Sequence, residues 1–561
     1  MKRLLFAVLF VALMLRVVDL NKFPYGFTPD EASFGYDAYS ILKTGKDQWG
    51  KNLPLVLQSF GDYKSPLYAY ISIPFVAIFG LSKFSIRLPN ALVGVGAVYI
   101  TYLLVYQIAK NNYLKFDKNI KAEHLALAAS FLLAISPWHV MISRGAFEAN
   151  LTTLLLPLAL YFFFKALKNP RYFIYSALAV GLDVFSYHAA KLVVPLLFLF
   201  LFIIFRKEIV KGFGIYHKLG IFVLAVFIGL FLISLRGGSS TRVLDVSIFK
   251  TSLAEASSER IKAISEGMNP FTARLIYNKY GAGIRHFFSN YITYFSPQFY
   301  FSQGPAESTY GMIPGRGVLY WFELPFIILG LFYLLKNISN KYALSIIIWY
   351  LLSPVAAALS LGPGYAANRA SVSLPSIQII SALGLIILLN FVSNFKYKKI
   401  CYLFGGTAVF IFFFYFVFDY FFISPQKTAE GMLYGNYEAA EYVSDYYSKD
   451  EIIMSRKLSE PHIYVAFVNK WDPENYQQNT KNWDYKKLGL GWVDQIPRYT
   501  LGNYVFENIL QENYMDKNVI LVGKPDEFLK DTSFNKLILY PNNNKAVAIV
   551  DTFSQRYAWK N

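Results

Sequence analysis

Residues 65–81, SPLYAYISIPFVAIFGL, decide how the rest of this chain is laid out, because they are long and apolar enough to pass for a membrane crossing. A helix needs about 20 apolar residues to traverse the hydrocarbon of a bilayer. This stretch instead carries two prolines and four residues that are Tyr or Ser. Outward from it lie eleven stronger apolar runs, at roughly 4–20, 86–109, 122–142, 150–167, 172–187, 190–205, 219–235, 318–335, 342–361, 373–391 and 400–423. The cations arbitrate. With Lys2 and Arg3 inside and 65–81 not crossing, the cytoplasmic loops receive Lys110, Lys115, Lys118 and Lys121, then Lys165, Lys168 and Arg171, Arg206, Lys207, Lys211 and Lys218, Lys336 and Lys341, and Lys396, Lys398 and Lys399. The short outer loops then hold little beyond Arg144, Lys191 and Arg369. Counting 65–81 as a crossing would swap every later loop and invert the bias. The segment is therefore expected to be juxtamembrane or re-entrant on the outer face.

Composition agrees. Of 561 residues, 55% are hydrophobic and only 16% charged, with a mean hydropathy of +0.35. That is too apolar for a soluble enzyme. Lys and Arg outnumber Asp and Glu by 54 to 36, but their clustering between apolar runs reads as membrane topology rather than a nucleic-acid surface. The single cysteine, Cys401, excludes a disulfide framework and a Cys-ligated metal.

The expected fold is mainly α, a polytopic membrane helix bundle spanning residues 1–423, with a cytoplasmic N-terminus and the first span retained as an anchor. Three larger pieces fall outside: residues 21–85, residues 236–317 and residues 424–561. The second holds an amphipathic stretch, IFKTSLAEASSERIKAI, and an aromatic tract, FFSNYITYFSPQFYF, suited to the headgroup layer. The third turns to Asn, Asp, Lys and Tyr, with β-like runs KNVILVG, KLILY and KAVAIV between helical stretches, and predicts a small extracytoplasmic α/β domain.

Chemistry in water belongs on those outer pieces. Thr28-Pro29-Asp30-Glu31 has the form of a helix start, with Thr28 as N-cap, Pro29 at N1 and Glu31 closing a capping box. It equally suits a carboxylate held at a cavity wall as a general base. Lys64, flanked by Asp62 and Tyr63, either reaches toward the headgroups or binds an anionic group. In HVMISRGAFEAN (139–150), Arg144 and Glu148 have the spacing of a helical ion pair or line a polar cavity. His188, Lys191 and Arg369 fall on the same face. No His, Asp or Glu cluster has metal-ligand spacing, so no cofactor is expected, with a carboxylate-bound divalent ion as the alternative.

TPDEASFGYDAYSILKTGKDQWGKNLP (28–54) followed by GDYKSPLYAYISIPFVAIFGLSKFSIRLPNALVG (61–94) resembles the first outer loop of the family 39 membrane glycosyltransferases, the protein O-mannosyltransferases and lipid A aminoarabinose transferases. The resemblance covers about the first 200 residues. It implies the C-type glycosyltransferase fold and an inverting transfer of a sugar from a polyprenyl phosphate to a protein hydroxyl or an envelope lipid or glycan. Asp30 and Glu31 match the family's acidic pair and are the candidate catalytic residues. Lys64 matches its donor-phosphate lysine, Glu148 a second outer-loop acid, and Arg369 an arginine before a Leu-Pro segment. Asp62, Tyr63, Arg144, His188 and Lys191 complete the candidate substrate-binding set. The C-terminal region lacks a recognisable β-trefoil of the protein O-mannosyltransferases, which leaves the acceptor open. The competing readings are a transporter or lipid flippase and a polymerase or ligase with a lipid-linked acceptor.

Overall fold

The computed structural model describes residues 1–110, 121–235, 248–306, 308–361, 366–448 and 450–554. Lys115 and Lys118, and the first residues of the 236–317 loop, lie outside them. All eleven expected runs contain helix. Among the described residues, six helices are long and apolar enough to cross a bilayer: Lys83–Ala109, Glu148–Ala166, Ile215–Ser234, Lys341–Ala358, Ser371–Ser393 and Lys398–Thr428. Lys2–Val17, Ala122–Ile135, Tyr172–Val184, Ala190–Ile204 and Glu323–Lys336 occupy the other expected runs as shorter helices. Around the bundle large side chains point outward, with Leu403, Phe404 and Phe410 exposed by 72%, 78% and 61%. Only a lipid surround makes such exposure cheap.

Residues 65–81 form the helix Leu67–Phe79, 13 residues and about 20 Å long, the same length as Tyr172–Val184. Lys341 pairs with Glu208 at 2.6 Å, joining two loops that the charge argument assigns to one side. The amphipathic stretch becomes the helix Phe249–Ser265, and Lys279–Thr293 presents Tyr280, Ile284, Phe288 and Ile292 outward at four-residue intervals. The aromatic tract divides: Phe288 is exposed as expected, but Phe299, Tyr300 and Phe301 are buried in the bundle core.

The three β-like runs are all strands. With β1 (Leu57–Gln58) and β2 (Tyr63–Lys64) forming a hairpin in the first loop, the C-terminal region holds β3 (Ile452–Ser455), β4 (Arg498–Leu501), β5 (Tyr504–Glu507), β6 (Ile520–Gly523), β7 (Lys536–Leu539) and β8 (Lys545–Asp551). They form one mixed sheet in the order β4-β5-β3-β6-β8-β7, with β3 parallel to both neighbours. Helices Asn436–Tyr446 and Pro461–Val468 pack together beside it, and Pro461–Val468 lies against helix Pro29–Thr44.

One face of the C-terminal sheet packs a cluster of its own around Leu521, Phe528 and Val550, and the other shares its core with the first outer loop. Phe27, Phe34, Leu57, Phe60 and Tyr68 share one apolar cluster with Ile452, Tyr464, Phe467, Tyr476 and Phe506. Hydrogen bonds seal the seam: Tyr464 donates its hydroxyl to the Phe27 carbonyl at 2.8 Å, Tyr36 to that of Trp471 at 3.0 Å, and the Val493 N–H to that of Phe60 at 2.8 Å. The ion pair Lys83–Glu438, at 2.9 Å, adds a charged tie.

Candidate functional site

The site grows from the helix start at Thr28. The Thr28 side chain accepts from the Glu31 N–H while Glu31 accepts from the Thr28 N–H, both at 3.3 Å, so the capping box forms as written in the sequence. At the far end Gly45 caps the helix with φ +73°, the left-handed conformation that glycine adopts without a Cβ penalty. This turn gives adjacent residues opposite surroundings. Glu31 is fully buried: Oε1 accepts from Arg87 Nε and the Ala146 N–H, both at 2.9 Å, and Oε2 from Arg87 Nη2 at 3.0 Å. Arg87 in turn donates to the carbonyls of Leu20, Pro24 and Gly26. Asp30 instead faces outward, its side chain 47% exposed, and pairs with Lys64 Nζ at 2.7 Å.

Lys64 sits on β2 with its side chain only 3% exposed. The ammonium lies 4.8 Å from the Phe34 ring centroid and 5.4 Å from that of Phe60. This is not a lysine reaching for headgroups. Asp30 and Asp62 line an open cleft of about 460 Å³ whose other walls are Phe60 from the hairpin and Ser459, Glu460, Trp492, Asp494 and Gln495 from the C-terminal region. Gly61 lets the hairpin approach closely, since a Cβ there would meet the Trp492 ring at 2.5 Å. The cleft exists only because both outer pieces fold together.

A cationic edge adjoins it. Tyr63 receives a hydrogen bond from Lys486 Nζ on its hydroxyl at 2.7 Å, and its carbonyl lies 3.2 Å from His188 Nε2. Lys191 Nζ is 3.4 Å from His188 Nδ1. The structure thus brings together Asp30, Asp62, Tyr63, Lys64, His188 and Lys191.

The remaining expected residues lie elsewhere. Helix Pro137–Ile142 ends before Arg144, so the i, i+4 geometry expected of Arg144 and Glu148 never forms. Buried Arg144 donates to the carbonyls of Leu15 and Val18, both at 2.6 Å, and stacks over Phe421 at 5.0 Å, tying the first span to the last. Glu148 is buried in the short turn Glu148–Asn150. Arg369 donates to Ser360 Oγ at 2.9 Å and to the Leu361 carbonyl. Arg144 and Arg369 are not among the cleft-lining residues.

Two sets of residues escaped the sequence reading. Arg87 stands in FSIRLPN, an arginine opening a 27-residue apolar helix, which was a legible signal. Glu460 and Asp494 had none, being 34 residues apart in polar sequence. Burial holds the Glu460 carboxyl well above its ordinary value, with the nearby Asp494 as the second cause. Asp494 is raised too, by burial, against hydrogen bonds from the Glu460 N–H and the Tyr499 hydroxyl.

Residues 63–232 match the family model for dolichyl-phosphate-mannose-protein mannosyltransferase. ArnT from Cupriavidus metallidurans in the apo state aligns over 97% of both chains at 11% identity, with a TM-score of 0.50. The fold is that of the C-type membrane glycosyltransferases. This chain also aligns with ArnT from Cupriavidus metallidurans bound to undecaprenyl phosphate, at 12% identity over 97% of both chains and a TM-score of 0.50. The apo Archaeoglobus fulgidus oligosaccharyltransferase aligns with 83% of this chain at 14% identity and a TM-score of 0.46, and this chain spans only 63% of its length. No curated relative matches the sequence. The resemblance expected from the outer-loop residues is borne out over residues 63–232, and the multi-helix architecture of an integral membrane protein is borne out with it.

Proposed function

We propose that this protein is an inverting glycosyltransferase that moves a sugar from a polyprenyl-phosphate donor to an acceptor hydroxyl on the extracytoplasmic side of the membrane. The observation that carries the reading is the Asp30–Lys64 pair at 2.7 Å, half open to the cleft on the Asp30 side and sealed on the Lys64 side. Asp30 is the general base, and Glu31 builds the turn that aims it. The acceptor oxygen attacks the anomeric carbon, the bond from that carbon to the phosphate oxygen breaks, and the bonding pair leaves with the phosphate. Asp30 takes the acceptor proton. Once Asp30 is neutral, the Lys64 charge has lost its counterion and is released to compensate the phosphate as it gains charge. Base and electrostatic stabiliser are thus coupled through one ion pair. The ammonium groups of Lys191 and Lys486 around Tyr63 support placing the phosphate beside the β1–β2 hairpin, next to the ion pair. That ArnT is solved with undecaprenyl phosphate supports a donor of that class.

No nucleotide is required, since the activated bond is already in the donor, and positioning and electrostatics supply the acceleration. The test is transfer of labelled sugar from a polyprenyl phosphate by the purified protein. Asp30→Asn should abolish transfer with the protein still folded, and full activity in that variant would refute the assignment. Uptake of substrate into reconstituted vesicles without a glycosidic product would instead favour a transporter. A lipid-linked product, seen by mass spectrometry, would favour a polymerase or ligase.

A further inference from the structure

Behind the cleft wall, three groups converge in a way that hydrogen bonding within the protein does not complete. Glu460 Oε2, His462 Nδ1 and Asp494 belong to a set whose ligand atoms lie within 4.8 Å of one another. Glu460 Oε2 lies 3.9 Å from His462 Nδ1. That carboxylate oxygen is buried and has no hydrogen-bond partner among the described residues.

Donors and acceptors can be counted. The Tyr499 hydroxyl lies 2.9 Å from Asp494 Oδ1 and 3.0 Å from His462 Nδ1. The Glu460 N–H donates to Asp494 Oδ2 at 2.6 Å. Arg456 donates to the carbonyls of Asp494 and Ile496. His462 Nε2 is likewise buried without a hydrogen-bond partner among the described residues, with the Phe60 and Trp483 rings at centroid distances of 5.2 and 5.0 Å from the imidazole. Glu460 Oε2 and one imidazole nitrogen are thus left unsatisfied beside the Asp494 carboxylate, a gap that a bound cation would fill.

We propose that Glu460, His462 and Asp494 form a binding site for a divalent transition-metal ion, Zn²⁺ or Mn²⁺, in the cleft wall opposite Asp30. One imidazole nitrogen with two carboxylates is a donor set these ions accept, and three protein ligands leave a coordination position open. Tyr499 orients Asp494 from outside the ligand set. The site departs from the metal-free expectation because its ligands are assembled from two segments, around 460 and 494. It does not depend on the sugar-transfer reading.

The test uses the full chain in detergent, stripped with a chelator and titrated separately with Zn²⁺ and Mn²⁺ by calorimetry, with bound ion counted by elemental analysis. The expected result is one saturable ion per chain and a higher unfolding temperature on binding, both lost in Glu460→Gln and His462→Gln. Tyr499→Phe should weaken binding by about 10–100-fold. Asp30→Asn should bind as the parent does, which separates this result from any failure of the transfer assay. Absence of saturable uptake, or uptake unchanged in both ligand variants, overturns the proposal. So does an infrared band of a protonated carboxyl that persists with either ion present and disappears in Glu460→Gln, because a proton then fills the gap. If a ligand variant does not fold, the titration of the parent chain still decides.

Discussion

Replacing Glu31 by Gln and Asp30 by Asn removes one charge from each of two adjacent residues, and the structure requires the two changes to fail differently. Glu31 Oε1 receives two donors, Arg87 Nε and the Ala146 N–H, and Oε2 receives Arg87 Nη2 and the Thr28 N–H. An amide must present its own NH₂ to one of these pairs of donors, leaving N–H groups facing N–H groups and a fully buried guanidinium without its counterion. Breaking a buried pair from one side costs about 3–5 kcal/mol. At about 1.4 kcal/mol per decade, that lowers the folded-to-unfolded ratio by two to three and a half orders of magnitude. In Asp30→Asn the amide oxygen still accepts from Lys64 and the side chain is half in water, so the cost is about 1–2 kcal/mol. Loss of the base should nevertheless reduce transfer by about 10²–10⁴. Thermal unfolding in detergent, read beside labelled-sugar transfer, separates the two. A Glu31→Gln protein as stable as the parent but inactive would refute the division of roles, as would an Asp30→Asn protein that loses as much stability as Glu31→Gln.

Lys64→Met should lower transfer by about 10²–10³ through kcat, since one preorganised electrostatic partner is removed, and a pure KM effect would contradict the coupling to the leaving phosphate. Tyr464→Phe deletes the hydroxyl donated to the Phe27 carbonyl and should cost about 1 kcal/mol, measured by denaturation, with transfer retained under stabilising conditions. Asp37 has its carboxyl held well above the ordinary value of 3.8, by burial first and by neighbouring Asp47 second. The native state therefore keeps a proton that the unfolded chain releases. This contribution to stability is complete below the unfolded value and is lost as pH rises through the folded one. Unfolding temperatures between about pH 4 and about pH 8 should show Asp37→Asn gaining on the parent as pH rises, and a gap that narrows would reverse the sign of the argument.

Much was legible from local chemistry. The span pattern, the strands KNVILVG, KLILY and KAVAIV, and the capping box at Thr28 all follow from hydropathy and neighbours within one turn. These are short-range properties, and the bilayer imposes its length rule on every helix alike. The acidic pair was legible too, but not the division of labour inside it. Whether Asp30 or Glu31 faces the cleft depends on Arg87, 56 residues beyond Glu31, and on the Ala146 N–H, 115 residues beyond. Arg144 looked like half of a surface ion pair, because spacing assumes a helix that in fact stops at Ile142. The cleft itself was invisible in the sequence, since half its wall comes from a region more than 400 residues away that shares one apolar core with the first loop. Composition and periodicity settle which segments are helix, strand or lipid-facing. Which carboxylates end up opposite one another is decided by packing between distant segments, and no local pattern carries that information.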